Sequence, residues 1–193
     1  RQMCIRDRTG GAQRIGKALV EHFHSIGWDV VFQYRSSKTE AEKIKESLNS
    51  IRPDSCQIIA CDFDDKESCA NFYMQLEKNI YGLTGLINNA STFYPKKLSE
   101  TSHDDWVKLT SSNLYQPIFI SKICSNELTK NNGSIVNIAD IHAEQGLKDY
   151  SVYTAAKAGL INFSKSLAKE LAPNVLVNSV SPGAILWLSL IHI

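Results

Sequence analysis

The chain has 193 residues, 43% of them hydrophobic, which fits a single globular domain with a sizeable core. Its 21 basic and 20 acidic side chains leave a net charge of +1 and form no basic block, so neither a nucleic acid nor an anionic membrane surface is the expected partner. The five cysteines are an odd number without Cys-x-x-Cys spacing, which predicts reduced, buried thiols rather than disulfides or a zinc site. We expect a cytoplasmic protein, because no segment resembles a secretory signal or a membrane span.

Short β-rich runs alternate with helical patterns from about residue 9 to residue 181, and this alternation predicts parallel strands joined by helical crossovers. The strand runs are mostly apolar, as expected where helices cover both faces of a sheet. The predicted strands cover residues 29–34, 56–62, 83–89, 134–140 and 175–180. The predicted helices cover residues 14–26, 38–50, 65–80 and 102–129, followed by a fifth that carries Tyr153 and Lys157.

Local signals mark where three of these helices begin, bend or end. Gly27 is predicted to end the first helix, and Ser37 is predicted to cap the second. Pro117 lies inside the long fourth helix and predicts a kink there, because proline removes one backbone donor.

Both ends of the chain depart from the alternation. A first strand should feed the glycine loop at Thr9, yet residues 6–8 are three consecutive charges that a buried strand would not tolerate. We therefore predict that this strand is missing or foreign. The other end stops soon after Gly183, before any closing helix or strand. We interpret residues 1–8 and 188–193 as non-native remnants, and the sheet as truncated or altered at both ends.

The segment TGGAQRIG, residues 9–16, opens the first helix. Its glycines allow a tight turn, and the helix amino terminus offers unpaired N–H groups to a pyrophosphate, although such a segment alone is often only a turn. The next strand leads into Arg35, Ser36 and Ser37, where an acidic residue would contact the ribose of NAD. A cation and hydroxyls suit a 2′-phosphate, so we expect NADPH; the alternative is that Arg35 is an ordinary surface arginine.

Polar residues also end the next two strands. Asp62 is expected to accept a hydrogen bond from an adenine amino group; the alternative is a helix cap, a role that Asp64 or Asp65 would also fill. Asn88 and Asn89 are unusual at the end of a buried strand. We predict that they hydrogen-bond neighbouring backbone and hold the strand ends in place.

Asp140, Tyr153 and Lys157 predict a proton-transfer site. Tyr153 and Lys157 are four residues apart on a helix and share one face. An ammonium beside a phenol favours the phenolate, so we predict a lowered pKa for Tyr153. Asp140 comes from the end of a neighbouring strand, at the cleft where open α/β sheets bind ligands. We assign His142 to loop structure, since no further ligand stands at metal-binding spacing, and no metal ion is expected.

Several features together resemble the short-chain dehydrogenase/reductase family over residues 9–187: TGGAQRIG, the NNA after the fourth strand, Asn113, the pair Tyr153 and Lys157, and Pro182 with Gly183. The resemblance implies a Rossmann-like, doubly wound parallel sheet between two helical layers, a three-layer α/β/α domain. It implies that Lys157 binds the nicotinamide ribose, that Tyr153 transfers the proton and that Asn113 joins a proton relay. It also implies a homo-oligomer, by family a tetramer. The implied cofactor contacts are Gly10, Arg14, Ile15, Gly16, Arg35, Ser36, Asp62, Phe63, Asn89, Ala90, Tyr153, Lys157, Pro182 and Gly183.

Three departures from the common family pattern resemble the pteridine reductases: Arg14 in place of glycine, residues 91–95 after NNA, and Asp140 in place of serine. A serine hydroxyl can donate to a carbonyl oxygen, whereas an ionised aspartate only accepts, so Asp140 disfavours a simple ketone. A pterin presents N–H donors and nitrogens to be protonated. The resemblance implies that Phe93 stacks on the pterin, with Ser91 and Arg14 near the phosphates and the substrate. Ordinary packing is the alternative for Phe93.

The sequence therefore predicts an NADPH-dependent reductase that transfers hydride to a pterin or dihydropterin. Its expected substrate contacts are Arg14, Ser91, Phe93, Asp140 and Tyr153. Two alternatives stay open: a general carbonyl reductase of the same family, and a non-catalytic nucleotide-binding protein that keeps the fold.

Overall fold

A computed structural model describes residues 2–5 and 14–183 of the chain, with residues 2–5 and Arg14 described by their backbone alone. The strands in this part are β1 (Gln2–Ile5), β2 (Val30–Tyr34), β3 (Cys56–Ala60), β4 (Gly85–Asn88), β5 (Ser134–Ile138) and β6 (Leu176–Val180). They form one parallel sheet in the order β3-β2-β1-β4-β5-β6. The order reverses between β1 and β4, which is the point where doubly wound sheets bind their ligands.

The central strand β1 contradicts the prediction that a first strand is missing, while the interpretation of residues 1–8 as non-native stays a prediction. Met3 pairs with Val31 on one side and with Leu86 on the other, so the described backbone does contain a first strand. The strand ends at Ile5, before the three charges that made a buried strand unfavourable. Four residues suffice because β4 is also only four residues long. The charged residues 6–8 themselves lie outside the described part.

The α-helices are α1 (Arg14–Ser25), α2 (Lys38–Ile51), α3 (Lys66–Asn79), α4 (His103–Thr110), α5 (Gln116–Lys130), α6 (His142–Gln145) and α7 (Ser151–Glu170). The predicted fourth helix is interrupted between α4 and α5 by a π-helical turn, Ser111–Tyr115. Pro117 follows this turn in the first turn of α5, where its missing N–H is not needed. The long predicted helix is thus irregular near Pro117, but the irregularity is the π-helical turn, which ends two residues before the proline.

The helix ends show which local signals were correct. Gly27 follows α1 with φ +96°, a left-handed value that glycine adopts without strain, as predicted. Ser37 precedes α2, but its side chain makes no capping hydrogen bond, so that prediction was wrong in mechanism. Asp65 caps α3 by accepting from the backbone N of Ser68 at 2.6 Å.

Two apolar cores cover the two faces of the sheet, which makes the domain three-layered. Alternate residues of β2 divide between them: Val31 packs with Phe72 of α3 and Ile120 of α5, whereas Phe32 packs with Ala41 of α2. Four of the five cysteines are described, and all four are free and buried as predicted: Cys56, Cys61, Cys69 and Cys124. Among the helices that the structure describes, none is long and apolar enough to cross a bilayer.

A buried row of hydrogen-bonded polar side chains ties β4 and β5 to the helices beneath the site. Asn88 donates from Nδ2 to Oδ1 of Asn137 at 2.7 Å and to Oγ of Ser121 at 3.2 Å, and Asn137 donates to Oγ of Ser164 at 2.8 Å. The prediction that Asn88 bonds neighbouring backbone was wrong, because its partners are side chains of β5 and α5. This row holds β4, β5 and α7 in fixed relation, and α7 carries Tyr153 and Lys157.

Candidate active site

Two elements bring the polar cluster together at the carboxyl edge of the sheet. Asp140 follows β5 by two residues, and Tyr153 and Lys157 lie in the first two turns of α7. Tyr153 is 4% exposed and Lys157 is 2% exposed, whereas Asp140 is half-buried. The cluster is thus largely withdrawn from water, where charge and hydrogen bonding act strongly.

The Asp140 carboxylate accepts three hydrogen bonds. Tyr153 donates from its hydroxyl to Oδ2 at 2.7 Å, the backbone N of His142 donates to Oδ1 at 2.8 Å, and His142 Nδ1 lies 2.8 Å from the same Oδ1. Burial by itself would raise the pKa of Asp140, but these hydrogen bonds outweigh burial and hold that pKa below its usual value. Asp140 is therefore an ionised acceptor at neutral pH.

The pKa of Tyr153 is shifted in the direction opposite to the predicted one. Burial, followed by the hydrogen bond to Asp140 and that residue's negative charge, raises the pKa of Tyr153, while a hydrogen bond with Ser91 opposes the rise. The phenol was expected to lose its proton more easily beside Lys157. The charge in contact with its hydroxyl is instead the carboxylate, so the neutral phenol is favoured in the free protein.

Lys157 shares the predicted face of α7, but its amine is directed elsewhere. Nζ donates to the backbone O of Ile138 at 2.8 Å and lies 6.0 Å from the ring centroid of Tyr153. Burial lowers the pKa of Lys157 to about 8, against an opposing effect of the Asp140 charge. The ammonium has three N–H donors, and the Ile138 hydrogen bond uses one of them.

Because Lys157 is buried, we expect the stability of the protein to increase as the pH is raised into the alkaline range. The pKa of Lys157 is lowered on folding from 10.5 to about 8, so between these values the unfolded chain binds more protons and the free energy of unfolding rises with pH. Relative to Lys157→Met, the wild-type protein should gain on the order of 3 kcal/mol across this range. Urea denaturation of both proteins at neutral and alkaline pH measures the difference. Parallel pH dependences would contradict it, since groups other than Lys157 titrate in both proteins.

Asn113 lies in the π-helical turn and is fully buried. Its Nδ2 donates to the backbone O of Thr92 at 2.7 Å and of Leu109 at 2.8 Å, while its Oδ1 is buried without a hydrogen-bond partner. Single π-turns often occur at functional sites. An orphaned buried acceptor suits an ordered water or a ligand hydroxyl, so Asn113 has the chemistry that a relay requires.

Aromatic rings form the outer wall of the site. Phe93, at 50% exposure, stacks on Tyr150 with ring centroids 4.5 Å apart and planes at 17°. It also meets the ring of Tyr153 edge-on at 4.8 Å. Packing therefore occupies only part of Phe93 and leaves half of it exposed beside Tyr153. Tyr150 was missed from the sequence, although its position three residues before Tyr153 places the two on one side of the helix start.

The opposite end of the cleft carries the predicted cofactor residues. Arg35 donates from Nη2 to Oδ2 of Asp62 and to Oδ2 of Asp64, both at 3.0 Å. Phe63 is buried against Phe72, with ring centroids 5.8 Å apart, so its side chain is part of the core. Arg35 is thus held at the end of β2 by two acidic residues that the sequence reasoning had not connected to it.

Other predicted residues follow neighbouring strand ends. Asn89 and Ala90 come directly after β4, and Pro182 accepts a hydrogen bond from the backbone N of Ile141 at 3.3 Å. The loop after β6, which includes Gly183, therefore lies beside the loop of Asp140. Ser36 is exposed after β2, while Ile15 and Gly16 begin α1. Gly10 and the side chain of Arg14 lie outside the described residues.

The doubly wound sheet, with a tyrosine, a lysine and a carboxylate at its carboxyl edge, defines an oxidoreductase of the nicotinamide-dependent type. Residues 8–187 match the family described as short chain dehydrogenase, and the chain belongs to that family. The expectation drawn from the sequence motifs is confirmed at this level.

Two kinds of reductase stand among the relatives. A dihydromonapterin reductase of Enterobacter sp. (strain 638) is 29% identical over 182 residues, covering 93% of this chain and 73% of that protein. A 3-oxoacyl-acyl-carrier-protein reductase of Haemophilus influenzae is 31% identical over 179 residues, covering 92% and 72%. Another, from Aquifex aeolicus, is 32% identical over 179 residues with the same coverage. Similarity at this level is shared between the two kinds, so the substrate has to be argued from the site.

Proposed function

We propose that the protein is an NADPH-dependent reductase that transfers hydride to a ring carbon of a pterin or dihydropterin, with dihydromonapterin and dihydrofolate among the candidates. The observation that carries this proposal is the 2.7 Å contact between the Tyr153 hydroxyl and Asp140 Oδ2. An acceptor-only carboxylate beside a proton-donating phenol suits a ring that presents N–H groups and a nitrogen to be protonated. It suits a ketone oxygen poorly, because that oxygen needs donors.

Tyr153 is the proton donor in this proposal. Its raised pKa keeps the phenol protonated across the neutral range, so the proton is available when a substrate arrives. Reduction of a ring C=N bond forms a C–H bond with the hydride, and the adjacent nitrogen takes the phenolic proton. Asp140 accepts a hydrogen bond from a ring N–H and orients that nitrogen toward Tyr153. Phe93, with half its surface exposed, offers a flat apolar platform for the ring.

The residues fit a nicotinamide dinucleotide, which supplies the hydride when bound. Lys157 would hold the ribose hydroxyls with the N–H donors not used on Ile138, and Oδ1 of Asn113 would accept from a relay water. Asp62 would accept from the adenine amino group. Arg35 would bind a 2′-phosphate, which would join or replace the two carboxylates as its anionic partner.

A carbonyl reductase is the second candidate, and the two 3-oxoacyl-acyl-carrier-protein reductases among the relatives favour it. Tyr153, Lys157 and Asn113 would serve either reaction. Asp140 favours the pterin reductase over the carbonyl reductase, because a ketone reductase needs a hydroxyl donor where this chain has a carboxylate. The presence of the complete set of polar residues counts against a non-catalytic nucleotide-binding protein.

We also propose that the protein acts as a homo-oligomer. Tyr115 is 50% exposed and stacks on Phe119 with ring centroids 4.4 Å apart, and Trp106 is also 50% exposed. Aromatic groups on the outer side of α4, the π-turn and α5 are suited to contact a second copy.

The substrate test is a direct comparison with purified protein. We expect NADPH oxidation with dihydrobiopterin, dihydromonapterin or dihydrofolate, followed as loss of reduced-nicotinamide absorbance, to exceed oxidation with a 3-oxoacyl thioester. We also expect higher rates with NADPH than with NADH, because Arg35 would bind the extra phosphate. Steady ketone reduction without pterin activity would select the second candidate, and no turnover with either class would select the non-catalytic one.

A further inference from the structure

The segment after β5 places a histidine on the Asp140 carboxylate. His142 approaches Oδ1 twice, through its backbone N at 2.8 Å and through ring Nδ1 at 2.8 Å. Tyr153 occupies Oδ2 of the same carboxylate at 2.7 Å. The three groups form a continuous row from a ring that is 34% exposed to a phenol that is buried.

We propose that His142 is a positioning residue that acts through Asp140, fixing the plane of the carboxylate so that Oδ2 meets the Tyr153 hydroxyl and the substrate. The proposal rests on the proposed function, because it takes Asp140 to face the substrate. This role goes beyond the loop structure that the sequence predicts for His142, which followed from the lack of a further ligand at metal-binding spacing.

The hydrogen bond from the His142 ring requires a histidine and restrains the carboxylate further, whereas the backbone hydrogen bond does not depend on the residue type. Any residue other than proline at position 142 could donate its backbone N–H to Asp140, but a donor on Nδ1 depends on the histidine. Without the ring, Oδ1 keeps only the backbone donor of His142, whereas two donors on Oδ1 restrain rotation of the carboxylate about its Cβ–Cγ bond more firmly. Since an ionised Asp140 only accepts, Nδ1 must carry the proton.

The same contact affects the proton on Tyr153. The negative charge of Asp140 makes release of the phenolic proton harder, because phenolate and carboxylate would repel each other. An N–H dipole or an imidazolium on Oδ1 draws charge away from the carboxylate and reduces this repulsion. Without the ring, we expect Asp140 to be less well oriented and Tyr153 to be a poorer donor. Both effects lower kcat and leave cofactor binding alone.

The experiment compares His142→Ala with His142→Asn, whose amide N–H can reach the place of Nδ1. We expect His142→Ala to lower kcat with the dihydropterin about five- to tenfold, less than a fully buried charged hydrogen bond would imply, because the ring is partly exposed. The Kd for NADPH, measured by fluorescence, and the Tm should be unchanged. His142→Asn should restore kcat to within about twofold of wild type. His103→Ala, an exposed histidine at the start of α4, is the matched control.

A double-mutant cycle tests whether the effect passes through Asp140. In the Asp140→Ala background, removing the His142 ring should cost nothing further in kcat. An additive loss there would overturn the proposal, as would wild-type kcat in His142→Ala, an equal loss in the Asn variant, or a loss that follows Tm. If the wild-type protein reduces only ketones, the proposed function fails, and the same variants are then measured with the ketone. If the losses in kcat caused by the His142 and Asp140 substitutions are again non-additive with the ketone, His142 still acts through Asp140 although the substrate is not a pterin.

Discussion

Replacing Tyr153 with phenylalanine is expected to lower kcat with a dihydropterin by about three orders of magnitude, the range of a lost general acid. The substitution removes the hydroxyl that donates to Asp140, while the ring keeps its edge contact with Phe93 at 4.8 Å. Lys157 bonds to Ile138 rather than to the phenol, so its position for the ribose is retained. The Kd for NADPH should therefore stay within about twofold, because only one hydroxyl is lost and the other residues assigned to the cofactor are untouched.

The matched control for this variant is Tyr150→Phe. Tyr150 stacks on Phe93 through its ring, and its ring centroid lies 6.5 Å from that of Tyr153. Loss of its hydroxyl should change kcat by no more than a few-fold. Steady-state rates, NADPH fluorescence titration and Tm together separate loss of chemistry from loss of fold. Substantial turnover in Tyr153→Phe would show that another group donates the proton.

Replacing Asp140 with serine is expected to reverse the substrate preference. The carboxylate that accepts a ring N–H becomes a hydroxyl that donates to a carbonyl oxygen. We expect kcat/KM for the dihydropterin to fall at least about 100-fold, since a site that loses its polar partner discriminates strongly, and activity on a 3-oxoacyl thioester to rise. Removing the negative charge also brings the Tyr153 pKa back down toward its usual value.

Asp140→Asn separates the charge of this residue from its shape. The amide keeps the size of the side chain but loses the negative charge, so pterin activity should fall, while its N–H groups can donate to a carbonyl oxygen as the serine hydroxyl does. Initial rates with both substrate classes, measured on the same preparations, give the comparison. Unchanged pterin activity in both variants would place the substrate away from Asp140 and remove the main support for a pterin substrate.

The fold was predictable because its signals are local. Apolar runs bounded by glycine and polar residues located β2 to β6, and helical periodicity located α1 to α3 and α7. The first strand was missed because the charges at residues 6–8 were taken to occupy its place, whereas the strand lies before them. Whether Gln2–Ile5 forms a strand depends on pairing with β2 and β4, which are distant along the chain.

The candidate site was predictable in its residues but less so in its electrostatics. The helical repeat placed Tyr153 and Lys157 on one face, and the Lys157 amine then reached past the phenol to the carbonyl of Ile138. The expected lowering of the Tyr153 pKa became a rise, because Asp140 is the charged group that contacts the hydroxyl. Spacing predicts which side chains can meet, but not which atoms do.

The alternation of strands and helices, the family and the polar residues at the strand ends could be recognised from the amino-acid sequence, because each follows from short-range periodicity and residue chemistry. Three contacts became visible in the folded protein alone: Arg35 pairs with Asp62 and Asp64, Phe93 stacks on Tyr150, and the His142 ring contacts Asp140. The Arg35 and Phe93 contacts join segments that are far apart in sequence, and the contact between His142 and Asp140 depends on how the chain turns from β5 into α6. Their geometry follows from how the sheet and its helices pack, which no local pattern encodes.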